Sequence, residues 1–160
     1  MVVFRSATPA DVPAIYGLVQ ELAAYENLTD QMHMTPDQLH QALFGDPVYA
    51  QGMVAEGEAG VVGFALYYWT FSTFAGRPTL YLEDLYVQPA YRGQGIGKGL
   101  LSRLVRLALA RGCARMEWSV LNWNQPAIDF YRSLGAIPMA DWTTYRLTET
   151  ALHHFPHPPQ

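Results

Sequence analysis

"YLEDLYVQPAYRGQGIGKG", Tyr81 to Gly99, begins as a strand carrying two adjacent acids, Glu83 and Asp84. It passes a proline and enters a loop with glycine at Gly93, Gly95, Gly97 and Gly99, whose only charges are Arg92 and Lys98. A glycine-rich turn between a strand and a helix exposes main-chain amides, and the helix dipole adds to their pull on an anion. Glycines also let a ligand come close to the backbone. Carboxylates repel that same anion, so the stretch reads as serving two ligands, one cationic and one anionic. Two phosphate motifs fail here. The dinucleotide pattern G-x-G-x-x-G, started at Gly93, puts Lys98 where its last glycine belongs. The P-loop pattern needs glycine at Arg92 and Ser or Thr at Gly99.

The flanking segments supply the fold class. "VVFRSA" reads as a strand. The helix that follows has Thr8 as cap, Pro9 in its first turn, and Val12, Ile15, Val19 and Leu22 at helical spacing. Pro13 suggests that its regular part starts there. "TPDQLHQALF" repeats the signal with a capping box from Thr35 to Gln38. "YAQGMVAE" and "VVGFALYYWTF" form a predicted hairpin around "GEAG". Beyond the glycines, Leu100, Leu101, Leu104, Leu107 and Ala108 make the apolar stripe of a helix stopped by Gly112. "ARMEWSVL" is a predicted strand and "NQPAIDFYRSLG" a short helix capped by Asn124. "IPMADWTTYRL" is expected to hold one or two closing strands. The pattern predicts an α/β fold, a mixed layer of strands and helices in one domain over residues 1–148. An irregular tail is expected over 149–160, its His153, His154 and His157 read as tail and not as metal ligands.

Composition narrows the function. The chain has 160 residues, 50% hydrophobic and 15% charged, which suits one domain with a sizeable core. Its net charge is −4 and no basic stripe is present, which argues against nucleic-acid binding and favours a small cationic partner. Cys113 is the single cysteine, read as a small buried apolar residue in a reducing, cytoplasmic setting. The N-terminus lacks a signal-peptide layout, and no apolar run is long enough for a membrane span.

Arg92-Gly93-Gln94-Gly95-Ile96-Gly97 resembles the R/Q-x-x-G-x-G/A signature of the GNAT N-acetyltransferases. "NQPAIDFYRSLGA" resembles a second pattern of that family, N-x-x-A-x-x-F-Y-x-x-x-G-F, with Ala136 in place of the final aromatic. "ELAAYENLTDQMHMT" and "VVGFALYYWTF" narrow the resemblance to the diamine acetyltransferase branch, the spermidine/spermine N1-acetyltransferases and their thialysine-acetylating relatives. The resemblance implies a single-domain fold with a mixed, mostly antiparallel central sheet flanked by helices. It implies acetyl-coenzyme A as co-substrate, no metal, a small-molecule amine acceptor and a homodimer.

By resemblance, amides from Arg92 to Lys98 (Arg92, Gly93, Gln94, Gly95, Ile96, Gly97, Lys98) cradle the pyrophosphate, with charge added by the Arg92 and Lys98 side chains. The main chain of Leu85, Tyr86 and Val87 pairs with the pantetheine arm, and Leu85 or a neighbour donates to the developing oxyanion. Asn124 and Tyr131 are further coenzyme contacts, Tyr131 acting at the departing sulfur. Acceptor contacts fall to Tyr25, Glu26, Glu83 and Asp84, with Glu83 as the catalytic carboxylate. The task is real, because an alkyl ammonium of pKa about 10.4 leaves only about one molecule in a thousand neutral at pH 7. Simple alternation puts Tyr81, Glu83, Leu85 and Val87 on one face, with Leu82, Asp84 and Tyr86 on the other. Polyamine-acetylating members carry an acid at the place of Ser72, which disfavours long polyamines here. The alternatives are a peptide acetyltransferase or a coenzyme sensor without turnover.

Overall fold

The computed structural model describes residues 1–157. They fall into two compact units, one spanning Met1–Leu121 and one beginning at Asn122. In the first unit, strands β1 (Val3–Ser6), β2 (Gln51–Gly57), β3 (Gly60–Ser72), β4 (Arg77–Val87) and β5 (Arg115–Glu117) form one sheet in the order β1-β2-β3-β4-β5. The first three pairings are antiparallel, and β4 pairs with β5 in parallel. Three helices flank this sheet: α1 (Val12–Tyr25), α2 (Pro36–Phe44) and α3 (Ile96–Ala110). This is an α/β fold with a mixed, mostly antiparallel sheet. No helix among the described residues is long and apolar enough to cross a membrane.

Each face of the sheet has its own core. On one, Val12, Ile15 and Leu18 of α1 and Leu39 and Leu43 of α2 pack on Val54, Phe64 and Tyr86. On the other, Ile96 and Leu100 of α3 pack on Ala55 and Val62, with Leu85 and Val87 alongside. A network of charges ties β1 to the start of α1. Arg5 grips Asp11 with two guanidinium nitrogens at 2.7 and 2.9 Å and donates through Nε to Glu56 at 2.8 Å. Asp11 also accepts from the Thr8 amide, so Thr8 caps a single 3-10 turn that runs into α1 at Val12.

A bulge in β4 corrects simple alternation. Leu66 faces Asp84 across the ladder, yet the next residue, Tyr67, faces Leu82, which leaves Glu83 as the extra residue. Opposed residues of a ladder share a face, so Tyr81 (opposite Tyr68), Asp84 and Tyr86 lie on the α1/α2 side. Leu82, Leu85 and Val87 lie on the α3 side.

The second unit holds α4 (Gln125–Ser133) and a short helix, α5 (Glu149–His153). Among the described residues no strand forms between Ile137 and Leu147, where one or two were expected. The tail, expected to be irregular, begins with α5, capped by the Thr148 hydroxyl that accepts from the Ala151 amide at 3.3 Å. The rest of that expectation, from 158 to 160, lies outside the described residues.

Candidate active site

The turn after β4 leaves main-chain amides at a helix start, the arrangement an anion site needs. Gly95 is the N-cap of α3 with φ +77, and the first amide of the helix to find a helical acceptor is that of Gly99, on the Gly95 carbonyl at 2.9 Å. The preceding helical amides, Ile96, Gly97 and Lys98, have no helical acceptor. Gly97 fits a ligand cradle. Its φ needs no glycine, and an added Cβ would meet only a methyl of Val87 at 3.9 Å. The fold itself therefore leaves that backbone uncovered. Gly99 serves packing instead, because a Cβ there would overlap the Phe4 ring.

The strand leading to the turn has an open side. β5 pairs with β4 only at Thr79, Leu80 and Tyr81, so Leu85 to Val87 have β3 on one side and no strand on the other among the described residues. Those backbone groups are placed to bond an extended ligand.

The acidic group gathers at the end of α1. Because of the bulge, Asp84 is on the same face as Tyr81 and Tyr68. Glu83 accepts a hydrogen bond from the Tyr68 hydroxyl at 3.0 Å, and Tyr68 stacks on Tyr81 with ring centres 5.2 Å apart. Burial, then Glu83, then Glu26 push the Asp84 carboxyl up from 3.8 to about 7. Burial also raises Glu26. The same burial, reinforced by the bond to Glu83, raises the Tyr68 phenol to about 12, so it remains a donor. An ammonium beside these carboxylates would relieve their mutual repulsion.

The first unit thus brings Glu26, Glu83 and Asp84 together, and Tyr25 meets the turn through Arg92. The Arg92 side chain, expected to be able to add charge to the anion site, here lies back toward the end of α1. Its guanidinium carbon lies 5.3 Å from the Tyr25 ring centre and 5.4 Å from that of Tyr86, and Nε donates to the Val87 carbonyl at 2.9 Å. Tyr86 is buried, with its hydroxyl on Glu21 at 3.3 Å, while Glu21 also accepts from Gln88 at 3.0 Å. Gln94 and Lys98 are exposed. Sequence reasoning missed Glu21, Gln88 and Tyr68. The spacing of Glu21 and Tyr25, one helical turn apart, was the available signal.

In the second unit, Asn124 caps α4, its side-chain oxygen accepting from the Ala127 amide at 3.4 Å. Tyr131 is half-buried beside Phe130, with ring centres 5.6 Å apart. Leu134, one turn further on, is 39% exposed. Gly135, with φ +93, closes the helix, and the Ala136 amide returns to the Tyr131 carbonyl at 3.2 Å.

A strand with one open side, a glycine turn and a helix start follow one another in the chain. The sequence matches the Acetyltransferase (GNAT) family over residues 15–136, and the chain belongs to that family. Within it, the chain falls in the diamine acetyltransferase branch and is an N-acetyltransferase. Thialysine N-epsilon-acetyltransferase from Bos taurus is 39% identical over 162 residues, which cover 94% of this chain and 95% of that protein. Spermidine/spermine N(1)-acetyltransferase-like protein 1 from Homo sapiens is 38% identical across 92% of this chain and 23% of its own length. An integron cassette protein from the mobile metagenome of V. cholerae has a similar structure, with a TM-score of 0.80, 26% identity and 95% of each chain covered.

Proposed function

We propose that this protein transfers an acetyl group from acetyl-coenzyme A to the primary amine of a small molecule, a short diamine or a thialysine-like amino acid, by direct attack. The observation that carries this reading is the bulge at Glu83. It turns two carboxylates toward the end of α1, a few residues before an anion-binding turn. The relatives named for thialysine and for spermidine/spermine acetylation support the same acceptor class.

When bound, the coenzyme supplies an acetyl thioester. The amides of Arg92 to Lys98 hold its pyrophosphate, and the main chain of Leu85, Tyr86 and Val87 lines its arm. An amide in that strand, at Leu85 or next to it, donates to the carbonyl oxygen as charge develops there. Asn124 orders the start of α4, and the Tyr131 hydroxyl hydrogen-bonds the departing sulfur. A phenol near 10 is a weaker acid than a thiol near 8.5, so full transfer to the thiolate is uphill by roughly 2 kcal/mol. Hydrogen bonding, or transfer coupled to proton loss from the amine, is the role assigned to Tyr131.

The catalytic carboxylate was expected at Glu83; the raised, more buried Asp84 beside it moves the proton-accepting role, direct or through water, to Asp84, with Glu83, Glu26 and Tyr25 binding the ammonium. A base poised near neutrality suits this step. Ser72 supports a short acceptor. Its hydroxyl is buried and accepts from the Ala75 amide at 3.1 Å, closing its own turn. By likeness to the branch, the protein is a cytoplasmic homodimer, which light scattering on the purified chain tests. The reaction is tested by thiol release across a panel of amines. Release with short primary amines, weaker with long polyamines, is expected. Release only with peptides, or with no amine despite coenzyme binding, overturns the reading.

A further inference from the structure

We propose that Arg92 is a positioning residue that joins the coenzyme turn to the acceptor wall, coupling coenzyme binding to amine recognition through one guanidinium. This rests on the reading that the Arg92–Lys98 turn takes the coenzyme and that Tyr25 borders the amine. Arg92 is the first residue of that turn, and Gly93 follows it with φ +77. Its side chain makes three contacts on two elements, α1 and β4. It lies over Tyr25, the last residue of α1, over Tyr86 of β4, and on the carbonyl of Val87, where β4 ends. A planar guanidinium has this combination open to it, stacking on aromatic faces while donating in its own plane; an ammonium does not.

The surroundings hold one side of this contact in place. Glu21 fixes the Tyr86 hydroxyl and the Gln88 side chain together, so the Tyr86 ring and the strand exit move as one with α1. Tyr25, on the other side of the contact, is 40% exposed on the terminal turn of its helix. Ordering the turn around a pyrophosphate orders Arg92, and Arg92 then orders Tyr25 against the amine. Linkage makes the effect reciprocal: whatever factor the amine adds to coenzyme affinity, the coenzyme adds to amine affinity.

The test is calorimetric titration of coenzyme A, which carries no acetyl group and cannot turn over. The proteins are the wild type, Tyr25→Leu, Tyr25→Phe, Arg92→Lys and the double variant Tyr25→Leu/Arg92→Lys. Tyr25→Leu, although outside the turn, is expected to weaken coenzyme A binding about 3-fold, the scale of one exposed cation–π contact. Tyr25→Phe keeps the ring and restores binding. In the Arg92→Lys background, Tyr25→Leu is expected to have no further effect. Losses that add across the double variant, or a Tyr25→Leu protein that binds like wild type, overturn the coupling. Failure of the wild type itself to bind coenzyme A overturns the coenzyme reading of the turn, and the coupling with it.

Discussion

Asp84 and Glu83 are neighbours with different environments. Glu83 is exposed and held by Tyr68, whereas Asp84 is half-buried and carries a carboxyl raised to about 7. An acid with a raised pKa is protonated below that value and becomes a base only above it. The amine kcat/KM is therefore expected to climb with pH through about 7, reporting Asp84 in the free enzyme. Asp84→Asn should lower kcat/KM by roughly 100-fold and remove that limb. A variant that keeps the wild-type profile would take the proton-accepting role away from Asp84. If Tyr131 holds the departing sulfur as proposed, Tyr131→Phe should cut turnover about 10-fold or more with coenzyme affinity unchanged. Wild-type turnover in that variant would remove Tyr131 from the chemistry.

Neighbouring glycines of one element answer to different forces. Gly99→Ala pushes a methyl into the Phe4 ring at the junction of α3 and β1, and overpacking of this kind costs about 1–3 kcal/mol. Gly97→Ala meets no such obstacle, so its melting temperature should stay close to wild type while coenzyme affinity falls. Thermal melts and coenzyme titrations on the two variants separate them; equal loss of stability in both would refute the distinction. The sequence showed a glycine-rich turn after a strand, and with it most of the scaffold. The helices at Val12–Tyr25, Pro36–Phe44 and Ile96–Ala110 were legible from caps and apolar spacing. The bulge was not, because alternation assumes an unbroken ladder. A bulge is set by how β4 meets β3, and a single strand does not record its partner's register. The adjacent Glu83 and Asp84 were the only trace, since strict alternation would point one of two charges at each face. The contacts of the Arg92 side chain were not legible for a related reason: its partners, Tyr25 and Tyr86, come from distant parts of the chain. The one or two strands expected within Ile137–Leu147 do not form among the described residues, since a strand needs a pairing partner that its own stretch does not record.

Across the whole molecule, Asp11 and Asp84 give stability opposite dependences on pH. Arg5 holds Asp11 down at about 2 against a reference of 3.8, and burial only partly opposes it. The stability this contributes, roughly 2 kcal/mol, is present above about pH 4 and is lost as pH falls through 2. Asp84 is raised instead, from 3.8 to about 7. Its folded form is favoured at low pH, and stability is lost as pH rises from about 4 through 7. A fully desolvated group with that shift would cost roughly 4 kcal/mol once ionised, and the half-exposed edge of Asp84 reduces this to about 2. Together the two groups favour a stability maximum near pH 4–5, below the range in which the proposed base Asp84 is ionised. Asp84→Asn should thus melt about 5 °C higher than wild type at pH 8 and at nearly the same temperature at pH 4. Asp11→Ala should melt lower at both. A short diamine should narrow the gap between wild type and Asp84→Asn at pH 8, because its ammonium offsets the same buried charge. If Asp84→Asn instead melts lower than wild type at pH 8, the carboxyl is held by partners that favour its ionised form. The cost of ionising Asp84 in the fold would then vanish.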